Sequence, residues 1–448
     1  MTLSLRTFLS AAVILSVTFI PFFAAHAERL TLSDGIRMVT EDNMLVKIRK
    51  QDELISESDT LIARSGLLPH VYGTYSQNYN EKQQGTQIQG QSAYTQQQDF
   101  YAFSLRAQQL LWDFKGVLSI YEASKKIQEA RHLEYKRTRN YVALSFALGY
   151  FDLLESEKMI TVSEKETEML SAHLTMAKNL YTEGVITKND LLQADVRLSD
   201  ARQKLLAAKN IRKITASRLN TMLGRPLSSV LDPEEVPVRA PEPPIDLNWA
   251  MAKAEKDRYE IRMVDVTVDA IKFEEVAKKA EYYPRFFVEG GYNYLRNKYA
   301  LYDGSWSVMG GMSINLFSGG ATLAGLDKIR REKDKLTIER RKLIDDIRFE
   351  VERYYLELTS AREKVRVTKD ATSQAEENLR INRVKYREGE GTATDVVDAI
   401  TLLTVAETNH YRSQYELLRA EANLIHAMGR DLVEVYKELN GRVSEHRQ

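Results

Sequence analysis

Asp395 and Asp398 stand three positions apart in the stretch Y-R-E-G-E-G-T-A-T-D-V-V-D-A, Tyr386 to Ala399, and on a helix that spacing puts both carboxylates on one face. The chain has already written this stretch as Y-T-E-G-V-I-T-K-N-D-L-L-Q-A, Tyr181 to Ala194. In both copies a glycine, Gly184 or Gly389, falls where a helix C-terminus turns through positive φ. Thr187 and Thr392 follow as N-caps, and Asp190 and Asp395 complete capping boxes three positions on. Asp395 therefore has a structural task that Asp190 repeats. Asp398 does not, because the residue matching it is Gln193.

Other chemistry is scarce. The seven histidines make no H-E-x-x-H or comparable pair, and the absence of cysteine removes thiol nucleophiles, disulfides and metal-thiolate sites. Gly389-Glu390-Gly391 has no preceding strand and is no phosphate loop. His132, His173, His410 and His426 fall on helical patterns, as surface or seam residues. The chain is expected to be no enzyme, with no cofactor and no metal.

The first residues carry Arg6, an apolar run from Phe8 to Phe23 and Ala25-His26-Ala27, which together read as a signal peptide over 1–27. Cleavage leaves 62 basic against 63 acidic residues, since only Arg6 is lost, and that balance excludes a nucleic-acid partner. No mature stretch approaches about 20 apolar residues, so a membrane span would have to be a β-barrel.

The elements that must position the two tips are themselves duplicated. Gly389 lies 205 positions after Gly184, and the same offset pairs Leu198 with Leu403, Tyr150 with Tyr355, and Leu111 with Leu316. Earlier in the unit the offset is 215, pairing Pro69 with Pro284 and Leu32 with Leu247. The difference is a Gln- and Gly-rich insertion within Glu81 to Gln98, expected to be a solvated loop. The units are 28–225 and 246–430, joined by a proline-rich linker at 226–245 and followed by a charged tail at 431–448 without a readable signal.

Each unit opens with a helical pattern, Ser33 to about Ser65 and Asp246 to about Ala280, that stops before its proline. Alternating apolar residues then predict one β-hairpin per unit, at about 70–111 and 285–317, which makes four strands per chain. Tyr72, Tyr75, Tyr79, Phe100, Tyr101, Phe103, Phe286, Phe287, Tyr292 and Tyr294 cluster there as candidate membrane-interface girdles. Proline-free helical patterns follow, from about Lys115 to Thr182 and about Gly320 to Arg387, each long enough for a rod of about 100 Å. The returning helices carry a heptad seam, Leu191, Ala194, Leu198, Ala201, Leu205 and Val396, Ala399, Leu403, Ala406, that specifies left-handed coiled-coil packing. Four strands cannot close a barrel, so the barrel needs further chains.

This plan resembles the TolC-like outer-membrane efflux and secretion channels over essentially all of Glu28 to Arg430. The resemblance rests on the duplicated plan, the proline ahead of each first strand, L-F-S-G-G at Leu316 to Gly320, and the Y-x-x-G…T-x-x-D-x-x-x-A tips. The first copy departs from it with L-W-D-F-K-G at Leu111 to Gly116. The resemblance implies a mainly α protein with a β-barrel portion. A homotrimer would set a twelve-stranded barrel in outer-membrane lipid of a Gram-negative cell, over a periplasmic α-barrel of coiled-coil helices. It implies an exit duct for a tripartite efflux pump or type I secretion system, fed by an inner-membrane transporter through a periplasmic adaptor. The adaptor-contact segments would be the tips, Glu183, Gly184, Val185, Ile186 and Thr187 with Glu388, Gly389, Glu390, Gly391 and Thr392. Asp395 and Asp398 would narrow the entrance as a carboxylate ring. An arginine that the family often places before the threonine is here Gly391. The competing expectation is a periplasmic coiled-coil scaffold without a pore.

Overall fold

The computed structural model describes residues 29–237 and 246–445, so the signal-peptide reading of 1–27 and part of the linker lie outside the described residues. The two long rods, α3 (Gly116–Thr182) and α7 (Ala321–Arg387), are each 67 residues, and their returning partners α4 (Lys188–Met222) and α8 (Ala393–Ala427) are each 35. All four boundaries recur at the offset of 205. Neither rod contains a proline, and each stops at a glycine with φ of 76° or 80°, Gly184 or Gly389, which a residue with a Cβ would enter only under strain.

The opening helix of each unit is broken, contrary to the single helices expected there. α1 (Leu32–Asp42) and α2 (Met44–Ser65) meet at Asn43, and α5 (Leu247–Asp257) and α6 (Tyr259–Ala280) meet at Arg258. Both residues have extended ψ, 135° and 125°, and both use the break in the same way. Asn43 Nδ2 donates to the carbonyl of Met222, at the end of α4, at 3.1 Å. Arg258 Nη1 donates to the carbonyl of Ala427, at the end of α8, at 3.3 Å. Each break thus satisfies a carbonyl that the returning helix leaves without an intrahelical partner. Arg258, buried, also pairs with Glu260 and Glu350 at 3.1 Å each.

The sheet has the order β2 (His70–Tyr79), β5 (Asp99–Trp112), β7 (Arg285–Leu295), β8 (Gly304–Ser313), all antiparallel, so the unit hairpins lie side by side. β8 ends at Ser313, short of the expected boundary, and Leu111 is a bulge between Leu110 and Trp112. The insertion expected as a plain loop folds in part into a small hairpin, β3 (Gly85–Ile88) and β4 (Gln91–Tyr94), turning at Gln89-Gly90, both at positive φ.

The middle of α3 gathers the remaining pieces. Tyr150 Oη lies 2.7 Å from the carbonyls of both Leu30 and Glu234, next to the two-residue parallel pairing of β1 (Arg29–Leu30) with β6 (Asp232–Pro233). The tail, without signal in the sequence, forms α9 (Leu432–Glu445) and packs Leu432, Val433 and Tyr436 against the same cluster as Phe146, Tyr150 and Phe151.

The entry into each rod is conformationally demanding. Gly319 and Gly320 precede α7 at φ of 61° and 84°, and the residues at the matching positions before α3 are Phe114 and Lys115, at 56° and 68°. Asp113 braces the latter pair by accepting from the Val117 N–H at 2.6 Å, and Phe114 stacks on Tyr283 with ring centroids 4.6 Å apart. Lys115→Gly should therefore raise stability by about 1 kcal/mol, seen as a higher urea midpoint. Ser119→Gly, four residues on and inside α3, should lower it.

Candidate functional site

At the tips, both capping boxes are complete. Asp395 Oδ2 accepts from the Thr392 N–H at 2.9 Å and the Thr392 hydroxyl at 2.7 Å, and Thr392 Oγ1 accepts from the Asp395 N–H at 3.2 Å. Asp190 and Thr187 repeat the arrangement at 3.0, 2.7 and 3.3 Å. The Thr392 N–H and hydroxyl hold the Asp395 carboxyl below the usual carboxylate range.

Val396, Val397, Ala399, Ile400 and Leu403 bury one side of α8, while Asp395 and Asp398 lie on the opposite, exposed side with Leu402 and Val405. Among the described residues Asp398 makes no hydrogen bond or ion pair. The two carboxylates share a face as expected, but only Asp395 is occupied by its own backbone. Glu183, Gly184, Val185 and Thr187 are exposed, as are Glu388, Gly389, Glu390 and Thr392, whereas Ile186 and Gly391 are half-buried. A Cβ at Gly391 would come within 3.2 Å of the Tyr386 backbone nitrogen, so the loop is built closely around the missing side chain.

Behind the tips, one apolar cluster joins all four helices through Leu170, Leu174, Leu198, Leu379, Ile400 and their neighbours. Beside it a groove of about 620 Å³ runs between α3, α7 and α8. His173 of α3 and Tyr386 of α7 line it with their rings 5.6 Å apart, both buried. Sequence reasoning missed this pairing: the heptad pattern put His173 on the helix but gave no sign of what stood opposite.

At the far end, the strand register separates the sheet into two chemically distinct faces. One carries Val71, Phe103, Leu105, Ala107, Val288, Tyr292, Val308 and Met312; the other carries Thr74, Ser76, Ser104, Arg106, Gln108, Glu289, Asn293 and Ser307. On the polar face Arg106 pairs with Glu289 at 3.1 Å. Aromatic residues flank the aliphatic band: Tyr75, Tyr101, Tyr294, Tyr292 and Trp306 lie toward the loops, and Trp112, Phe286 and Phe114 toward the rods. Phe286 and Tyr292 on one strand are roughly 20 Å apart. Tyr72, Phe100 and Phe287 are corrections to the expected girdle, because the register places them on the polar face. Among the described residues no helix is long and apolar enough to cross a membrane.

The family model described as "Outer membrane efflux protein" matches residues 56–225 and 251–430, the two halves of the chain in succession. The chain belongs to that family. The family is one of channel proteins, placed in the outer membrane with helices extending into the periplasm. The outer membrane efflux protein BepC of Brucella suis is 21% identical over 95% of this chain and 90% of its own length. The alkaline protease secretion protein AprF of Pseudomonas aeruginosa is also 21% identical, over 91% and 86%. The solved open state of the Neisseria gonorrhoeae MtrE outer membrane channel superposes with a TM-score of 0.74 at 18% identity, over 90% of this chain and 89% of that one.

The capping geometry predicts a local effect at the second tip. Thr392→Ala should weaken the first turn of α8 by about 1 kcal/mol, read as faster hydrogen exchange at the Asp395 and Val396 amides relative to the Leu424 amide. Because the Asp395 carboxyl titrates below its unfolded value, its capping is fully present above the usual carboxylate range. It is lost as the pH falls through the lowered value. Asp395→Asn should remove that acid-dependent step from the tip.

Proposed function

We propose that this outer membrane efflux protein acts as a homotrimeric exit duct, not an enzyme, receiving its cargo from an inner-membrane transporter through a periplasmic adaptor. The observation that carries the reading is a mismatch between the two units. Leu133, Leu144 and Phe151 of α3 are 3%, 8% and 1% exposed. Their counterparts on α7, 205 positions later, are Ile338, Phe349 and Leu356, at 65%, 67% and 58%.

α3 is covered because α6 and α8 of the second unit, and the tail helix α9, pack on it as well. The elements that would cover α7 in the same way are α2 and α4 of another copy. Those helices carry the matching unpaired surface, Ile48, Ile55 and Ile62 on α2 and Val196, Leu206 and Ile214 on α4. The sheet repeats the relation: β5 pairs with β7 inside the chain, which leaves β8 for the β2 of another copy. A contact whose two surfaces lie on opposite flanks of one chain is heterologous, and it closes into a ring or runs on as a filament. Even strand number keeps every added pairing antiparallel. Three chains give twelve strands, above the roughly eight at which membrane barrels begin.

Closure with the apolar face outward places aliphatic residues against lipid between two aromatic belts and leaves a polar lumen. The tips then form the periplasmic entrance. Within Glu183 to Thr187 and Glu388 to Thr392, all but the half-buried Ile186 and Gly391 are exposed for an adaptor, and Asp395 and Asp398 of three chains ring the axis as a cation-attracting constriction. Efflux and protease secretion both appear in the names of the relatives, and an exit duct serves either one.

Val308→Arg, on the apolar face, should cost about 2–4 kcal/mol per chain and abolish the heat-modifiable trimer in outer-membrane fractions. Ser307→Arg, one residue away on the polar face, should leave the trimer intact. If both variants assemble equally, the barrel reading fails. Asp398→Ala should raise single-channel conductance in planar bilayers and lower cation selectivity. Unchanged values would remove Asp398 from the entrance while leaving the duct untouched.

A further inference from the structure

The Gln-rich insertion of the first unit has no part in the duct as described, yet it is firmly built. It begins where the barrel ladder ends, at Tyr79 paired with Asp99, and the second unit lacks the matching residues. Asn297 of the β7–β8 connection, 6% exposed, grips its base: Asn297 Nδ2 donates to the Thr95 carbonyl at 2.9 Å, and Asn297 Oδ1 accepts from the Gln97 N–H at 3.3 Å. Gln97 Oε1 in turn accepts from the Lys298 N–H at 3.0 Å, and Gln83 Nε2 donates to Tyr299 Oη at 2.8 Å. Two connections of one chain are thus locked into a single platform. An isolated two-stranded hairpin would not hold such order in water.

What the platform displays is uncharged. The sixteen residues from Gln83 to Gln98 include no Asp, Glu, Lys or Arg, in a chain that is 28% charged, and eight of them are glutamine. The β3–β4 register puts Gln87, Ser92 and Tyr94 on one face, and all three are exposed. Tyr299 stands at the foot of that face with its ring 6.4 Å from that of Tyr94. The Lys298 ammonium lies 5.0 Å over the Tyr299 ring, which leaves Tyr94, 56% exposed, as the open ring.

A ring flanked by amides and a hydroxyl matches a sugar. The C–H groups of one sugar face lie on the ring, and the hydroxyls at its rim exchange hydrogen bonds with glutamine, which both donates and accepts. Other partners fit worse. A polyanion needs a cationic surface. Strand addition needs a free edge of some length, and β3 and β4 are four residues each, the short form in which exposed edges are blunted against pairing. The aliphatic residue of the hairpin, Ile88, stands on the opposite face.

We propose that the face of Gln87, Ser92 and Tyr94 binds neutral saccharide, and that its partner is the lipopolysaccharide around the duct. The inference rests on the duct reading, which puts this end of the sheet outside the cell. There lipopolysaccharide forms the outer leaflet, with its phosphates and acidic sugars at the membrane and neutral hexoses beyond. One stacked ring and a few amides make a weak site. Weak binding suffices, because the sugars are confined beside the barrel at high effective concentration and a trimer carries three platforms.

The test uses the full-length chain as the purified trimer in detergent. Its probe is a lipid-free, dephosphorylated core oligosaccharide of lipopolysaccharide that ends in glucose and galactose. Saturation-transfer difference NMR should show transfer from the protein to the hexose C–H protons. Tyr94→Ala should weaken the apparent affinity by about threefold to tenfold, the loss of one ring contact. Gln87→Ala, which leaves the Tyr94 and Tyr299 rings in place, should weaken it too, while Tyr94→Phe and Ile88→Ala should keep it. No transfer to the sugar, or transfer that both alanine variants at Gln87 and Tyr94 leave unchanged, overturns the site. Stronger transfer to a phosphorylated inner core without hexoses also overturns it, as does a Thr86→Cys cross-link between copies in lipid, which would make a second copy the occupant. The heat-modifiable trimer is scored in the same samples. Loss of transfer from an intact trimer removes the platform alone, whereas a chain that forms no trimer removes the duct reading and the platform with it.

Discussion

A helix of 67 residues presents more apolar flank than its own unit can cover, and the architecture follows from where that cover is found. In the first unit the second unit supplies it, and Leu144 and Phe151 disappear from solvent. Among the described residues nothing does the same for Ile338, Phe349 and Leu356 of the second unit. The duplicated sequence gives both rods almost the same demand and one chain can meet only half of it. Burial of large aliphatic and aromatic side chains is worth about 1.5–3 kcal/mol each. A row of them on each rod is therefore a strong drive toward further copies, and one whose geometry is already displayed inside the chain.

Much of this was legible before any coordinates, for a physical reason. Helix length, hairpin position and tip chemistry are local: they depend on proline exclusion, on period-two or heptad patterning, and on Gly, Thr and Asp at fixed offsets. The rods, the returning helices and both capping boxes stand where those signals put them. The breaks at Asn43 and Arg258 were not legible, because a helix interrupted by one extended residue keeps its composition on both sides. What forces the break is the carbonyl of Met222 or Ala427, about 170 to 180 positions away. Nor was it evident that Phe114 and Lys115 would copy the left-handed backbone of Gly319 and Gly320. There the repeat overrode residue preference, and the contacts of Asp113 and Phe114 show what compensates.

The candidate site divides along the same line. That Asp395 caps and Asp398 does not could be read from one comparison within the sequence, because Asp190 repeats the first and Gln193 replaces the second. The contact between His173 and Tyr386 could not be read, since it joins positions 213 apart whose heptad registers say only that each faces inward. The division of the sheet was half readable. Alternation announced two faces, but assigning Tyr72, Phe100 and Phe287 to the polar one required the strand register.

Duplication followed by divergence also bears on how the two tips differ. Two tips of one design, with identical loop lengths and matching capping boxes, impose the same stiffness on both hairpins. Differences between them then lie in side chains and not in the backbone. The second hairpin alone has the uncapped carboxylate Asp398, and its Tyr386 is buried where Tyr181 of the first is exposed. Under the proposed function, a ring of such chains alternates one plain tip with one that carries the constriction. The Asn43 and Arg258 clasps tie the far end of each returning helix to the opening helix of the same unit, a whole returning helix away from its tip. A single unduplicated unit repeated around the axis would make every tip alike, and could not confine the uncapped carboxylate to every second one.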